Sequence, residues 1–253
     1  MDKLNKLWPV ILTFAIIAIV LMLYQFLKIR LEAPDFASIK NIEERKETFF
    51  DYFCTSTQKL NAAILGDRER IEKLAADPSV GNTQVSWLKT KAAQYGVTGD
   101  VSPAFFERVL SRVDALPPAL VSVQAALESG WGTSHFAVDG NNFLGQKCFH
   151  KDCGIVPEGR SPGQTYEMET FDTPFDSINA YMFNINTHDA YQKLRDIRAR
   201  IRKSGKQMTG YELAGGLEHY SEKGMDYIRK IRGMIRANHL DEKYGIRAEA
   251  PQS

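Results

Sequence analysis

The chain has 253 residues, 43% hydrophobic and 25% charged, which is enough for one large domain or two small ones around a sizeable core. Lys plus Arg (32) and Asp plus Glu (31) leave a net charge of only +1. That balance excludes the clear basic excess typical of a nucleic-acid-binding protein.

A short tail (1–6) precedes an uncharged, largely aliphatic run from Leu7 to Leu27. Lys3 and Lys6 flank it on one side, Lys28 and Arg30 on the other. About 20 helical residues cross a bilayer core, whereas a cleaved signal has an apolar stretch of roughly 7–15 residues ending in a small-x-small site. No such site follows here, so residues 7–27 read as an uncleaved transmembrane anchor, with 28–38 as linker. Counted literally, the positive-inside rule leaves the large domain in the cytoplasm. That rule weakens for long translocated domains, and the chemistry below favours translocation.

Beyond the linker, Ile42, Phe49, Phe53, Leu60, Ile64, Ile71 and Leu74 form one apolar stripe at helical spacing. The pattern predicts a helical segment over 39–96, divided at Gly66-Asp67, with a second helix at Val85–Tyr95. Ser102-Pro103 is a helix start, with Ser at the cap and Pro in the first turn. Pro117-Pro118 opens another helix, ALVSVQAALES, which stops at Gly130. From Trp131 to about Phe171, Gly, Asn, Pro and Cys replace helical periodicity. Thr165–Phe171 alternates as a strand does, and the stretch reads as a small β or loop lobe. Asp176-Ser177 is then expected to cap a helix, and further helices follow, one opened by Thr209 and running through Gly215-Gly216. The last spans Tyr227–Ala237. Helices, a small β lobe and helices again make an α+β domain dominated by α. It occupies 97–240, with 241–253 as a C-terminal tail.

Three cysteines are present. Cys148 and Cys153 close a short loop that fits a disulfide, a pair of free thiols, or a zinc site with His150 as third ligand but no fourth. Cys54 reads as a small buried residue.

Glu128 stands out chemically. It lies in the last turn of an apolar helix, facing the negative end of the helix dipole with no basic residue in that turn. The dipole and the neighbours Leu127 and Trp131 disfavour its charged form. A carboxylic acid kept protonated near neutrality is what protonation of a glycosidic oxygen requires.

The surrounding string Gln124-Ala-Ala-Leu-Glu128-Ser-Gly-Trp131-Gly, with Ser134, Phe136 and Gly140-Asn-Asn-Phe-Leu-Gly145, resembles the glucosaminidase-domain family of peptidoglycan hydrolases (glycoside hydrolase family 73). Ile185-Asn-Thr-His188-Asp-Ala-Tyr191 and Gly216-Leu-Glu-His-Tyr220-Ser-Glu are similar to its Bax-type bacterial members. The likeness covers roughly Thr48 to Leu240.

This resemblance implies a lysozyme-like fold and endo-β-N-acetylglucosaminidase activity on the β-1,4 bonds of wall glycan strands. It implies Glu128 as general acid and Tyr220 as an aromatic that supports the reaction or holds the sugar. Trp131 and Asn142 match positions near the family's cleft and are substrate-binding candidates. For a second carboxylate, Glu158 is the catalytic candidate, and Glu167 matches a family Glu that is a further candidate for substrate contact. With neither in reach, the substrate's own acetamido group is the alternative nucleophile. The implied substrate places the domain outside the cytoplasm, at the inner membrane and in the periplasm, where a Cys148–Cys153 disulfide forms readily. No metal or cofactor is implied, and the expected partners are peptidoglycan and the membrane, not nucleic acid. Gly-x-Ser-x-Gly, HExxH and Gly-rich phosphate loops do not occur. The competing readings are a catalytically silent glycan-binding or scaffold protein of the envelope and a lytic transglycosylase. Twelve Lys/Arg against five Asp/Glu between Lys193 and Arg236 suggest attraction to anionic partners.

Overall fold

The structure, a computed structural model, describes residues 12, 33–77, 79 and 81–246. Apart from Leu12, the proposed anchor lies outside the described residues, as do the N-terminal tail and residues 247–253. Among the described residues, no helix is long and apolar enough to cross a membrane. Asp35 onward forms one compact unit.

Helix α1 spans Ile42–Ala76, capped by Asn41, whose side chain accepts from the Glu43 and Glu44 amides. It is one uninterrupted helix, so the expected break at Gly66-Asp67 is corrected. A glycine inside a helix costs about 1 kcal/mol relative to alanine, and packing on both sides of Gly66 outweighs this. On the N-terminal side, Asn61 exchanges two hydrogen bonds with the backbone of Leu116, at 2.8 and 3.0 Å. On the C-terminal side, Ile71 and Leu74 join Leu88 and Ala92 of α2 (Asn82–Gln94) in a buried cluster. Phe105 and Val109 of α3 (Pro103–Arg112) complete it, with Ser102 as the cap of that helix.

Helix α4 spans Pro118–Ser129 and is buried over most of its length. It packs on α1, so the 39–96 segment is part of the same body as the domain that follows. An aromatic cluster of Phe36, Phe49, Phe53 and Phe143 lies at the N-terminal end of α1. Burial of each such ring contributes roughly 1.5–3 kcal/mol.

After the short helix α5 (His135–Gly140) comes the small lobe. Its strands β1 (Lys147–Cys148), β2 (Gly154–Ile155) and β3 (Glu167–Glu169) form an antiparallel sheet with β3 in the centre. The register pairs Cys148 with Glu167 and Gly154 with Glu169. Gly154 is required, because a Cβ there would lie 1.9 Å from the Met168 carbonyl oxygen.

Helix α6 spans Pro174–Thr187 and starts earlier than expected. Its cap is Thr173, and Asp176 is the reciprocal partner of a capping box, not the cap itself. A 3₁₀ turn (Asp189–Tyr191) leads into α7 (Gln192–Ser204). The helix expected from Thr209 to Tyr220 is shorter: α8 covers Gly210–Leu213 and tightens into a 3₁₀ turn at Ala214–Gly216. Gly216 lies so close to α7 that a Cβ there would fall 2.3 Å from Leu194 Cα. The run therefore ends in turns, and Tyr220 stands in them. Helix α9 spans Met225–Ala237 and α10 spans Leu240–Tyr244.

Helix α10 corrects the expected tail from residue 241. Asp241 accepts from the amides of Gly210 and Tyr211, and the Tyr244 hydroxyl donates to Asp51. The basic α7–α9 region is also less of a surface than its sequence suggested. Arg195 and Arg198 are buried, and Arg198 with Arg202 and Arg68 surrounds the buried Asp114 carboxylate.

Candidate active site

Residues 130–132 end α4 in a left-handed turn, with φ of 57° at Gly130, 61° at Trp131 and 78° at Gly132. Positive φ is unfavourable for a bulky residue such as tryptophan. Two contacts hold Trp131 there: its amide donates to the Ala126 carbonyl at 3.0 Å, and its ring meets Phe49 and Phe50 edge-on. Gly132 passes so close to Phe36 that a Cβ would come within 2.8 Å of it. This reversal leaves Glu128, one residue before the end of the helix, exposed as a residue while its carboxyl group turns back onto the protein and is partly desolvated there.

One carboxyl oxygen, Oε1, accepts a 2.7 Å hydrogen bond from the Tyr227 hydroxyl of α9. Behind it, Gln124 Nε2, one turn earlier on α4, donates to Tyr227 Oη at 3.3 Å, and the Tyr181 hydroxyl donates to Gln124 Oε1. Gln124 and Tyr181 are fully buried. The four groups form a polarised chain from Tyr181 to Glu128 in which every donor has an acceptor. Tyr220 stacks on Tyr227, with ring centres 5.4 Å apart, and Tyr181 and Tyr191 flank Tyr220.

Burial among these rings raises the Glu128 pKa; the Tyr227 hydrogen bond and the charges of Lys230 and Lys223 oppose it without cancelling it. Burial and the proximity of Glu128 push the Tyr227 hydroxyl far above its ordinary value, so it stays a donor. The other carboxyl oxygen, Oε2, faces Gly145, where a Cβ would lie 3.6 Å away.

The residues predicted from sequence meet different fates. Tyr220 adjoins the site as a support: its ring backs Tyr227, and its hydroxyl donates to the Leu144 carbonyl at 3.1 Å, one residue before Gly145. Trp131 packs against Phe49 and Phe50 of α1. Asn142 spends its polar atoms on the backbone of the lobe. Its Nδ2 donates to the carbonyls of Gln146 and Glu169, its Oδ1 accepts from the Gln146 amide, and the residue is buried.

Glu167 is likewise engaged by backbone. Its two oxygens accept the amides of Asp152 and Gly154, at 3.1 and 2.8 Å, inside the lobe. The Gly154 hydrogen bond is the largest of the influences that lower its pKa. Cys148 and Cys153 are joined as a disulfide, so their sulfurs are spent although Glu167 lies beside them. Glu158 stands exposed in a turn closed by the Pro157–Arg160 backbone bond.

Sequence reasoning missed Tyr227, whose only signal was its place at the start of a helix, and Tyr181. It also passed over Glu169. This partly buried carboxylate of β3 has a pKa raised by burial, with His150 acting in the opposite sense. The Glu169 amide donates to the Gln146 carbonyl at 3.0 Å, and Gln146 follows Gly145, the residue that faces Glu128 Oε2.

A helix-terminal acid in a tyrosine-lined recess beside a small β lobe is the arrangement of a glycoside hydrolase. The glucosaminidase family model (mannosyl-glycoprotein endo-beta-N-acetylglucosaminidase) matches residues 104–240, and the chain belongs to that family. Within it the chain is a Bax-type peptidoglycan hydrolase, similar to Protein bax of Escherichia coli (strain K12). The two are 31% identical over 207 residues, covering 81% of this chain and 74% of that protein. Among solved structures, the catalytic domain of the autolysin Auto from Listeria monocytogenes aligns with 70% of this chain and 96% of its own, at 17% identity and a TM-score of 0.39.

Proposed function

We propose that this enzyme is an endo-β-N-acetylglucosaminidase that hydrolyses β-1,4 bonds of peptidoglycan strands, with Glu128 as general acid. One observation carries the reading: Glu128 is held at a helix end with one oxygen fixed by Tyr227 and the other facing Gly145, which has no side chain to cover it. A raised pKa enlarges the protonated fraction of this acid at any given pH, which suits a group that protonates the leaving oxygen as the glycosidic bond lengthens.

Glu169 is the second carboxylate in this mechanism. Glu167 is consumed by backbone amides and Glu158 stands in an exposed turn, whereas Glu169 is partly desolvated on the strand beside Gln146. A base of raised pKa is better able to take a proton from an attacking water. Residues 7–27 tether the enzyme to the inner membrane, with the domain on the periplasmic side, where the disulfide persists.

The test is digestion of purified sacculi with mass spectrometry of the products. The wild type is expected to release fragments ending in reducing N-acetylglucosamine. Anhydro-sugar ends indicate a lytic transglycosylase, and binding without release indicates a silent glycan-binding protein; either result defeats the proposal. Glu128→Gln is expected to lower kcat by about 10²–10⁴-fold with unchanged thermal stability, and Glu169→Gln by about 10². Full activity of Glu128→Gln removes the assigned acid.

A further inference from the structure

The loop between Cys148 and Cys153 is held far more firmly than a six-residue surface loop needs to be. The disulfide closes it, and Glu167 beneath it accepts the amides of Asp152 and Gly154. Both of its flanking strands pair with β3. Its most apolar side chain points outward: Phe149 is 74% exposed. Rigid fixation of a large apolar ring in water gains nothing for the fold. It lowers the entropic cost of a contact made there by something else.

Two observations connect this ring to the active site. The chain runs from Leu144, held by Tyr220, through Gly145, opposite Glu128, and directly into β1 and the loop. Phe149 lies four chain steps beyond Gly145, so their Cα atoms are at most roughly 14 Å apart. In addition, His150 is close enough to interact electrostatically with Glu169. The loop thus flanks the strand that carries the proposed second carboxylate.

We infer that the disulfide-clasped loop is a distal saccharide subsite, in which Phe149 stacks on the apolar face of a pyranose ring several units from the scissile bond. Sugars present axial C–H groups on one face, and an aromatic ring offers a complementary apolar surface at little cost in side-chain entropy. The inference rests on the glycosidase reading, since it names a further contact for the same strand.

Its test uses the full chain in detergent, with soluble β-1,4-linked N-acetylglucosamine oligomers of increasing length as probes. Phe149→Ala is expected to raise KM for long oligomers about tenfold, at constant kcat and with no effect on the shortest cleaved oligomer. Phe149→Trp is expected to restore the affinity. The Cys148→Ser/Cys153→Ser variant is expected to weaken long-oligomer binding although Phe149 remains. Because Phe149 is exposed, its truncation does not threaten folding, and its result stands even if the cysteine variant misfolds. An unchanged KM for long oligomers in Phe149→Ala overturns the subsite and leaves the Glu128 mechanism standing. Retained hydrolysis by Glu128→Gln overturns the mechanism instead.

Discussion

Tyr227 and Glu128, 99 residues apart in sequence, meet through a single 2.7 Å hydrogen bond in which the phenol is the donor. The bond favours the charged carboxylate, so it restrains the rise in pKa that burial imposes. Tyr227→Phe is therefore expected to raise the Glu128 pKa further. For an enzyme that needs this group protonated, the alkaline limb of the kcat/KM–pH profile then moves to higher pH. A limb that stays put or moves down shows that Glu128 is not the titrating acid. The variant also strands Gln124 Nε2, at a stability cost of about 1–2 kcal/mol measurable by urea unfolding.

Asp114 supports a second prediction, about stability. Burial opposes its ionisation, but Arg198, Arg202 and Arg68 together outweigh burial and hold its carboxyl below the ordinary value. A depressed folded-state pKa contributes stability that is complete above the unfolded value of about 3.9 and is lost as pH falls through the folded one. Asp114→Asn leaves the buried Arg198 without its counter-charge and is expected to cost about 3–5 kcal/mol near neutrality. The gap between wild type and variant should narrow as unfolding is followed into acid. A gap that widens there contradicts the assignment.

Gly66 offers the opposite case. It sits on the exposed side of an unbroken helix, and a Cβ added there would meet nothing within 4 Å. Gly66→Ala is expected to stabilise by about 0.5–1 kcal/mol in thermal or urea unfolding, with activity unchanged.

Asp241 ties the last helix to the start of α8 through two backbone amides, at 2.6 and 3.0 Å. Asp241→Ala leaves both donors without that acceptor. A loss of about 1–3 kcal/mol in denaturant titration is expected, with kcat of the folded protein intact.

Much of this was legible in the sequence because it is local. Ser102-Pro103 and Pro117-Pro118 announce their helices within two residues, and Glu128 is conspicuous because its helix end is written in the following Gly130. The loss of helical period after Trp131 marks the lobe. The failures were non-local. Gly66 looks like a break until the Asn61–Leu116 bonds show what holds the helix straight. Gly216 ends a helical pattern because Leu194, on another helix, leaves no room. Asn142 and Glu167 are polar residues in matching motif positions, yet their valences are filled by backbone groups whose approach depends on the folded lobe. Tyr227 reaches Glu128 only after α9 packs on α4, and no spacing in the chain encodes that meeting.

The surroundings of Glu128 Oε2 depend on what residue 145 lacks. Gly145 has φ of 65°, a backbone shape that glycine alone adopts freely, and a side chain there would touch the acid's second oxygen. A methyl group there would rest in ordinary contact with that oxygen, so residue 145 governs what else can approach this face of the carboxyl while the Tyr227 bond on the other face is untouched.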